Sequence, residues 1–325
     1  MRIFMVGATG TIGRAALRAL VRHGHEVVAY VRPESAARLQ RAVAQEGLAG
    51  VTVRAGEMRE AAAIARDGLA EGPVDAVVSC MASRTGAPDD AWAVDHRAHL
   101  QVLEAATAAG ASHFVLLSAI CVQKPVLAFQ QAKLAFEAAL QRSGLTWSIV
   151  RPTAFFKSLS VQVARVRQGK PFLVFGDGTL TACKPISDDD LGEYLARCVT
   201  DPALRNRILP IGGPGPALTP REQGEQLFAL VGKPPRFSRV PVALLDAIIA
   251  VLGTLGAVVP PLRAKAELAR IGRYYATESM LVWDAARGRY DADATPEFGT
   301  ERLADHWAGL LAGDRTDDRG AHAVF

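Results

Sequence analysis

Three glycines near the start of the chain, Gly7, Gly10 and Gly13, have the type and spacing needed to receive a phosphate. They punctuate MRIFMVGATGTIG, in which Arg2–Val6 is a short apolar run of strand type and Ile12, Ala16, Ala19 and Leu20 recur at helical spacing. A helix that starts directly behind a strand aims its first backbone N–H groups into the turn, and side chains there would hold a pyrophosphate away. Gly7, Thr9, Gly10, Thr11, Ile12 and Gly13 are therefore the candidate cradle of a dinucleotide. Glu26–Val31 follows as a second apolar strand, and Arg32 stands just past its end. In a dinucleotide fold that position faces the adenosine ribose, where a carboxylate selects the 2′-hydroxyl of NAD and an arginine accepts the 2′-phosphate of NADP. Arg32 points to NADPH, the alternative being a solvated arginine beside Glu34.

The elements that must position these residues alternate. Apolar runs at 51–54, 75–79, 114–118 and 146–150 read as buried strands, separated by helical stretches such as 58–69 and 91–109. Strands alternating with helices predict an α/β fold with a Rossmann-like, doubly wound parallel sheet. Ser79, Cys80 and Ala82 leave the fourth strand at its carboxyl end, where such sheets bind ligands, and are expected to line the cofactor. Arg151 and Pro152 close the sixth strand at the same end. Asp95 and His96 open or lie within a long helix, where a histidine reads as structural rather than chemical. A helix over 187–199 with an acidic first turn, a strand over 208–211 returning to the sheet edge, and a helix over 219–231 capped by Thr219 complete the pattern. The expected division is a nucleotide-binding domain over 1–157, with edge elements at 186–212 returning to it, and a smaller, mostly helical substrate region over 158–325. Its polar end, 314–325, is expected to be disordered.

Bulk properties exclude several classes. The 325 residues are 50% hydrophobic, and the net charge of +4 is spread along the chain, which speaks against a nucleic-acid surface. The four cysteines show no metal-ligand spacing, so no zinc or iron–sulfur site is expected, and they fit a reducing, cytoplasmic compartment. A strand beginning at Arg2 leaves no room for a signal or transit peptide. The apolar stretch 240–262 is interrupted by Asp246 and ended by Pro260-Pro261, too short for the ~20 residues of a spanning helix. Two readings stand for it: a buried helix, or an apolar lid or membrane-surface patch beside an apolar substrate.

The segments LLSAICVQKP and FQQAK carry a second kind of chemistry. With the GxxGxxG turn they resemble the short-chain dehydrogenases, in which a serine after the fifth strand and a Tyr-x-x-x-Lys on the next helix polarise and protonate a carbonyl. Ser118 and Lys133 match that pattern, but the tyrosine position holds Phe129. Without a phenol a carbonyl reductase loses its general acid, whereas a carbon–carbon double bond has no oxygen to protonate. SAICVQKP, FQQAKLAFE, SGLTWSIVRPTAFFKSL, FGDGTLTACKPISDDDL, LPIGGPGPALTPREQGE and GRYYATESM resemble, in this order, the NADPH-dependent divinyl chlorophyllide 8-vinyl reductases, as far as about Leu311. The chain looks like a bacterial member, since plant members carry a transit peptide.

The resemblance implies reduction of the C8 vinyl group of 3,8-divinyl chlorophyllide a, a tetrapyrrole that carries its own Mg, in chlorophyll or bacteriochlorophyll synthesis. Lys133 is then expected to reach the nicotinamide ribose, with Ser118 completing the polar edge. Phe129 offers an apolar wall, and Phe155 and Phe156 offer flat contact to the pigment, one of the two reading equally as a core aromatic; Lys157 or Lys184 offers a partner for its propionate or is solvated, and Tyr274 and Tyr275 offer a proton or bulk. The expected location is the cytoplasm, with peripheral association at the photosynthetic membrane left open. Rival readings are an isoflavone-reductase-like reductase of another conjugated double bond, and a non-catalytic NADP(H)-sensing or assembly protein on the same fold. A charge-assisted pair to the 2′-phosphate contributes about 1.5–3 kcal/mol, roughly ten- to a hundredfold in affinity. Arg32→Ala is accordingly expected to raise the Kd for NADPH by that factor and leave NADH nearly unchanged; equal losses for both would make Arg32 a residue of the fold.

Overall fold

The computed structural model describes residues 1–256 and 259–315. Strand and helix alternate from the start: β1 (Arg2–Val6), α1 (Thr11–Arg22), β2 (Glu26–Val31), α2 (Pro33–Gln45), β3 (Val51–Ala55), α3 (Ala61–Gly68), β4 (Ala76–Ser79), α4 (Pro88–Ala91), α5 (His99–Ala108), β5 (His113–Leu117), α6 (Ala128–Gln141) and β6 (Thr146–Pro152). After α7 (Phe156–Leu159), α8 (Val163–Arg167), β7 (Phe172–Phe175) and α9 (Asp188–Thr200), β8 (Arg207–Ile211) joins the edge of the main sheet, where the sequence placed it. The seven strands run in the order β3-β2-β1-β4-β5-β6-β8, with parallel pairing from β3 through β6.

Both faces of this sheet are covered, which is why Ile3, Phe4, Met5 and Val6 are all buried rather than alternating between core and solvent. From β1 the chain steps to β2 on one side, while β4 pairs on the other, Val6 opposite Ser79. That reversal opens a crevice at the carboxyl ends of β1 and β4. Across the far side of the sheet unit, α1 meets α9 so closely that a Cβ at Gly192 would lie 2.5 Å from the carbonyl carbon of Ala15. Arg18 pairs with Asp189 at 2.6 Å and Arg22 with Glu193 at 2.9 Å, so the acidic first turn of α9 is structural, as its sequence suggested.

The expected single helix over 91–109 differs in form. Between α4 and α5 the residues Trp92–Ala98 form a π-helical stretch. The wider turn rotates the side chains that follow it, a feature often found at functional sites and invisible to a 3.6-residue period.

The described chain separates into two compact units, the sheet unit (Met1–Arg84, Pro88–Pro152 and Asp188–Leu209) and a second unit (Thr85–Ala87, Thr153–Ser187 and Pro210 onward). The boundary falls at Pro152 rather than Lys157, because Thr153 N–H already bonds Ile211 O at 2.9 Å and Phe156 N–H bonds Ile186 O at 3.2 Å, all within the second unit. Helices outweigh strands in this unit: α10 (Pro220–Leu230), α11 (Val242–Gly256), α12 (Pro260–Thr277) and α13 (Leu303–Ala312) accompany two small sheets, β7 with β9 (Phe237–Val240) and β10 (Val282–Asp284) with β11 (Arg289–Asp291). Thr219 and Glu222 form the capping box of α10.

Two expectations need correction here. The apolar stretch after Val240 is not a buried helix, since among the residues of α11 only Gly256 is buried; Ala257 and Val258 lie outside the described residues. Of the expected disordered end, Asp314 N–H bonds Gly309 O at 3.0 Å and Arg315 pairs with Glu301 at 2.7 Å, so these two are ordered against α13, while 316–325 lie outside the described residues. The α1 contact gives a direct test of the sheet unit. Gly192→Val forces backbone apart and should lower stability by about 1–3 kcal/mol, read as a lower urea midpoint; an unchanged midpoint would show that α1 and α9 pack elsewhere.

Candidate active site

The glycine turn tests whether a dinucleotide fits. Gly7 has φ +81°, and a Cβ there would lie 2.3 Å from the carbonyl carbon of Cys80, while a Cβ at Gly13 would lie 2.1 Å from Gly7 O. The chain's own close packing dictates both. Gly10 is different, because its nearest neighbour would be Gly7 O at 3.7 Å, an ordinary contact. Internal packing therefore tolerates a side chain at Gly10, and a ligand approaching the backbone supplies a reason for glycine there. Gly10 is also the N-cap of α1 and gives it no side-chain cap. An uncapped helix start behind an open glycine suits a pyrophosphate. Thr9 and Thr11 flank Gly10, half-buried, and Ile12 turns into the core.

At the exit of β4 the side chains do less than the sequence suggested. Ser79 is fully buried, and its hydroxyl lies 2.8 Å from His99 Nε2. His99 Nδ1 is 2.8 Å from Val94 O. A carbonyl only accepts, so Nδ1 carries the proton and Nε2 accepts from Ser79. Ser79 thus holds the turn from beneath instead of lining the ligand crevice with its side chain. Burial pushes the Cys80 thiol up to about 12, which leaves it protonated, and Ala82 is exposed.

The face of α6 that carries Phe129, Lys133 and Glu137, spaced one turn apart, gathers two buried ion pairs. The start of α6 is fixed by Gln130, whose Oε1 accepts from Val126 N–H at 2.8 Å and Leu127 N–H at 2.9 Å while Nε2 donates to Cys121 O at 3.0 Å. Lys133 Nζ donates to Asp95 Oδ1 at 3.0 Å, and that carboxylate also accepts from Ser83 N–H at 3.3 Å. Asp95 lies in the π-helical stretch, is buried, and its Oδ2 has no hydrogen-bond partner among the described residues. One turn on, buried Glu137 pairs with Arg151 through both oxygens and accepts the hydroxyl proton of Ser118. Ser118 therefore offers lone pairs to any ligand, and the Arg151 guanidinium is engaged within the protein.

Arg32 lies at the N-cap of α2, its side chain 54% exposed and 3.3 Å from Glu34. In the second unit, Phe155 is half-buried with Lys157 Nζ 5.7 Å from its ring centre. Phe156, expected at the substrate, is 2% exposed and belongs to a core with Val166, Phe228 and Trp307; packing explains it. Lys184 pairs with Glu297 and donates to Thr295 O at 3.3 Å. Tyr274 is buried and Tyr275 exposed, their rings edge to face at 5.7 Å. Asp95 was placed in a helix without a role of its own, and Glu137, His99 and Gln130 were not singled out in the sequence. Glu137 had one signal, its place one turn beyond Lys133; Asp95 had none, its partner being 38 residues away.

Burial lowers His99 and His113 to about 4, so the folded protein keeps both neutral where an unfolded chain, at 6.5, takes up protons. Their contribution to stability is present above pH 6.5 and is lost as the pH falls from 6.5 toward 4, each by up to about 1.4 kcal/mol per pH unit. Urea midpoints should fall across that window, less steeply in His113→Gln; an identical slope would assign the acid sensitivity to other groups.

A family profile described as NAD(P)H-binding matches residues 7–202. The chain is 50% identical to the divinyl chlorophyllide a 8-vinyl-reductase of Oryza sativa subsp. indica, covering 99% of this chain and 82% of that one. It is 49% identical to the Zea mays protein of the same name, with the same coverage. Both relatives are described as chloroplastic, and no described helix of the present chain is long and apolar enough to cross a membrane. The fold is like that of the NADPH-dependent quinone oxidoreductase QOR2 of Escherichia coli, crystallised with NADPH, at TM-score 0.68 and 20% identity over 95% of this chain and 99% of that one. A dinucleotide cradle on a doubly wound sheet agrees with the first match, and half-identity along nearly the whole length is far more specific: the chain belongs to the divinyl chlorophyllide a 8-vinyl-reductase family, within the NAD(P)H-binding fold.

Proposed function

We infer that this chain reduces the C8 vinyl group of 3,8-divinyl chlorophyllide a to ethyl with NADPH, in chlorophyll or bacteriochlorophyll biosynthesis. The observation that carries the reading is 50% identity to a named 8-vinyl-reductase over 99% of the chain. Reduction of the double bond adds a hydride to one carbon and a proton to the other; NADPH supplies the hydride when bound, and an acid or water supplies the proton. The chain's own groups bind and orient. Gly7, Gly10, Gly13 and the start of α1 receive the pyrophosphate, and Arg32 favours the 2′-phosphate. Lys133, steadied by Asp95, holds the nicotinamide ribose, which fixes the ring against the vinyl carbon. Phe129 presents an apolar wall where a carbonyl reductase needs its acid. Ser118, its proton committed to Glu137, accepts a hydrogen bond rather than giving one.

Phe155, with Lys157 beside it, and Tyr275 are the proposed pigment contacts in the second unit, the lysine meeting the propionate. The pigment brings its own Mg. Because it is a largely apolar disc, the proposal includes peripheral association with a photosynthetic membrane.

Purified protein with NADPH alone, lacking ferredoxin and flavin, should convert the divinyl pigment to the monovinyl product on chromatography; folded protein giving no product would sink the assignment. Lys133→Ala is a poor probe of the site, since it strands buried Asp95 and costs about 3–5 kcal/mol of stability. The double variant Lys133→Met, Asp95→Asn removes both charges together. Its kcat at saturating NADPH should drop about a hundredfold through misplaced reactants. Near-normal turnover would remove the pair from the site.

A further inference from the structure

Helix α11 is apolar on two faces. Val242, Leu245, Ile249 and Leu252 follow the spacing of a packing seam and are half-buried, as contact with α12 requires. The other stripe, Leu244, Ile248, Val251 and Leu255, is 51%, 38%, 56% and 52% exposed. Its two polar side chains are satisfied internally: Asp246 pairs with Arg273 of α12, and the Thr254 hydroxyl donates back to Ala250 O at 2.7 Å. Four large aliphatic residues in a row on one outer face make a patch that marks an interaction surface.

Charge decides what covers it. Between Lys233 and Arg273 seven basic residues face two acidic ones, a larger surplus than the +4 of the whole chain. Both acids are paired within the hairpin, Asp246 with Arg273 and Glu267 with Arg270 at 3.1 Å. The surplus rests on Lys233, Arg236 and Arg239 ahead of α11 and on Arg263 and Lys265 behind it, all exposed. A second copy of the chain would set this charge against itself, whereas an anionic lipid surface meets both needs, acyl chains for the stripe and phosphates for the flanks. The 15 residues of α11 span about 22 Å, short of the ~30 Å hydrocarbon core, so the helix lies in the surface and does not cross it.

We propose that α11 is the membrane-docking element, lying flat in an anionic bilayer surface with Leu244, Ile248, Val251 and Leu255 inserted and the basic flanks on the headgroups. This deepens the peripheral association proposed above and rests on that part of the reading alone. Full-length protein should float with vesicles of phosphatidylcholine and phosphatidylglycerol at least about tenfold more than with phosphatidylcholine alone, and be released by high salt. The variant Leu244→Gln, Val251→Gln, Leu255→Gln should lose flotation yet still reduce detergent-dispersed pigment, and Arg263→Gln, Lys265→Gln should weaken flotation. In case the triple variant misfolds, Val251→Trp should shift its emission to the blue with the mixed vesicles only. Absent flotation, equal flotation with neutral vesicles, an unmoved Trp emission, or a dimer in solution that the triple variant dissociates would each overturn the proposal, and none of them touches the pigment assay on which the enzymatic reading stands.

Discussion

The approach of Gly7 to the peptide between Cys80 and Met81 is the constraint on which the sheet unit's function depends. A Cβ at Gly7 would lie within 2.4 Å of both Cys80 C and Met81 N, so the turn that ends β1 and the turn that ends β4 are in contact through bare backbone. Only glycine, with no Cβ and at φ +81°, permits it. Because the two turns touch, the start of α1 and the chain leaving β4 share one crevice. His99 secures the second turn from below through Ser79, and the ring is kept neutral for this by burial.

Around that crevice the protein has placed charge where it cannot relax. Asp95 with Lys133 and Glu137 with Arg151 are largely desolvated pairs on one helix face, and such pairs add little net stability compared with apolar residues of the same volume. Their value lies in direction. Each carboxylate leaves its cation and its neighbouring donor few other geometries, and the cap made by Gln130 fixes where α6 begins. Phe129, buried on the same face, keeps the region apolar.

The parts of the fold that local pattern specifies were legible in the sequence. Strands such as Glu26–Val31 are continuous apolar runs after their first residue, the Thr219-Pro220 cap has its own chemistry, and both stand where expected. What depended on distant partners was not legible. Nothing near Asp95 in sequence announces Lys133, and the π-helical turn that presents it has the same composition as the α-helix expected there. Phe155 and Phe156 are adjacent and identical, yet one is half-buried and the other lies in the core, a difference made by which side of a short helix start meets Trp307 and its neighbours. The length and hydropathy of α11 identified it as apolar without saying that one of its two apolar faces is exposed.

The pairing of α1 with α9 has a consequence for how the chain is made. Arg18 and Asp189 are 171 residues apart, and β8 enters the sheet later still. During synthesis the helix that begins at the glycine turn must wait until more than half of the chain has emerged before its partner exists, and Thr153–Ser187 of the second unit are translated in the interval. Contacts of such long sequence separation are formed slowly, with loop closure preceding any reward. Until then the α1 surface that Gly192 will cover is bare, so the sheet unit carries an unpacked helix face through most of its synthesis and is completed only once α9 has emerged.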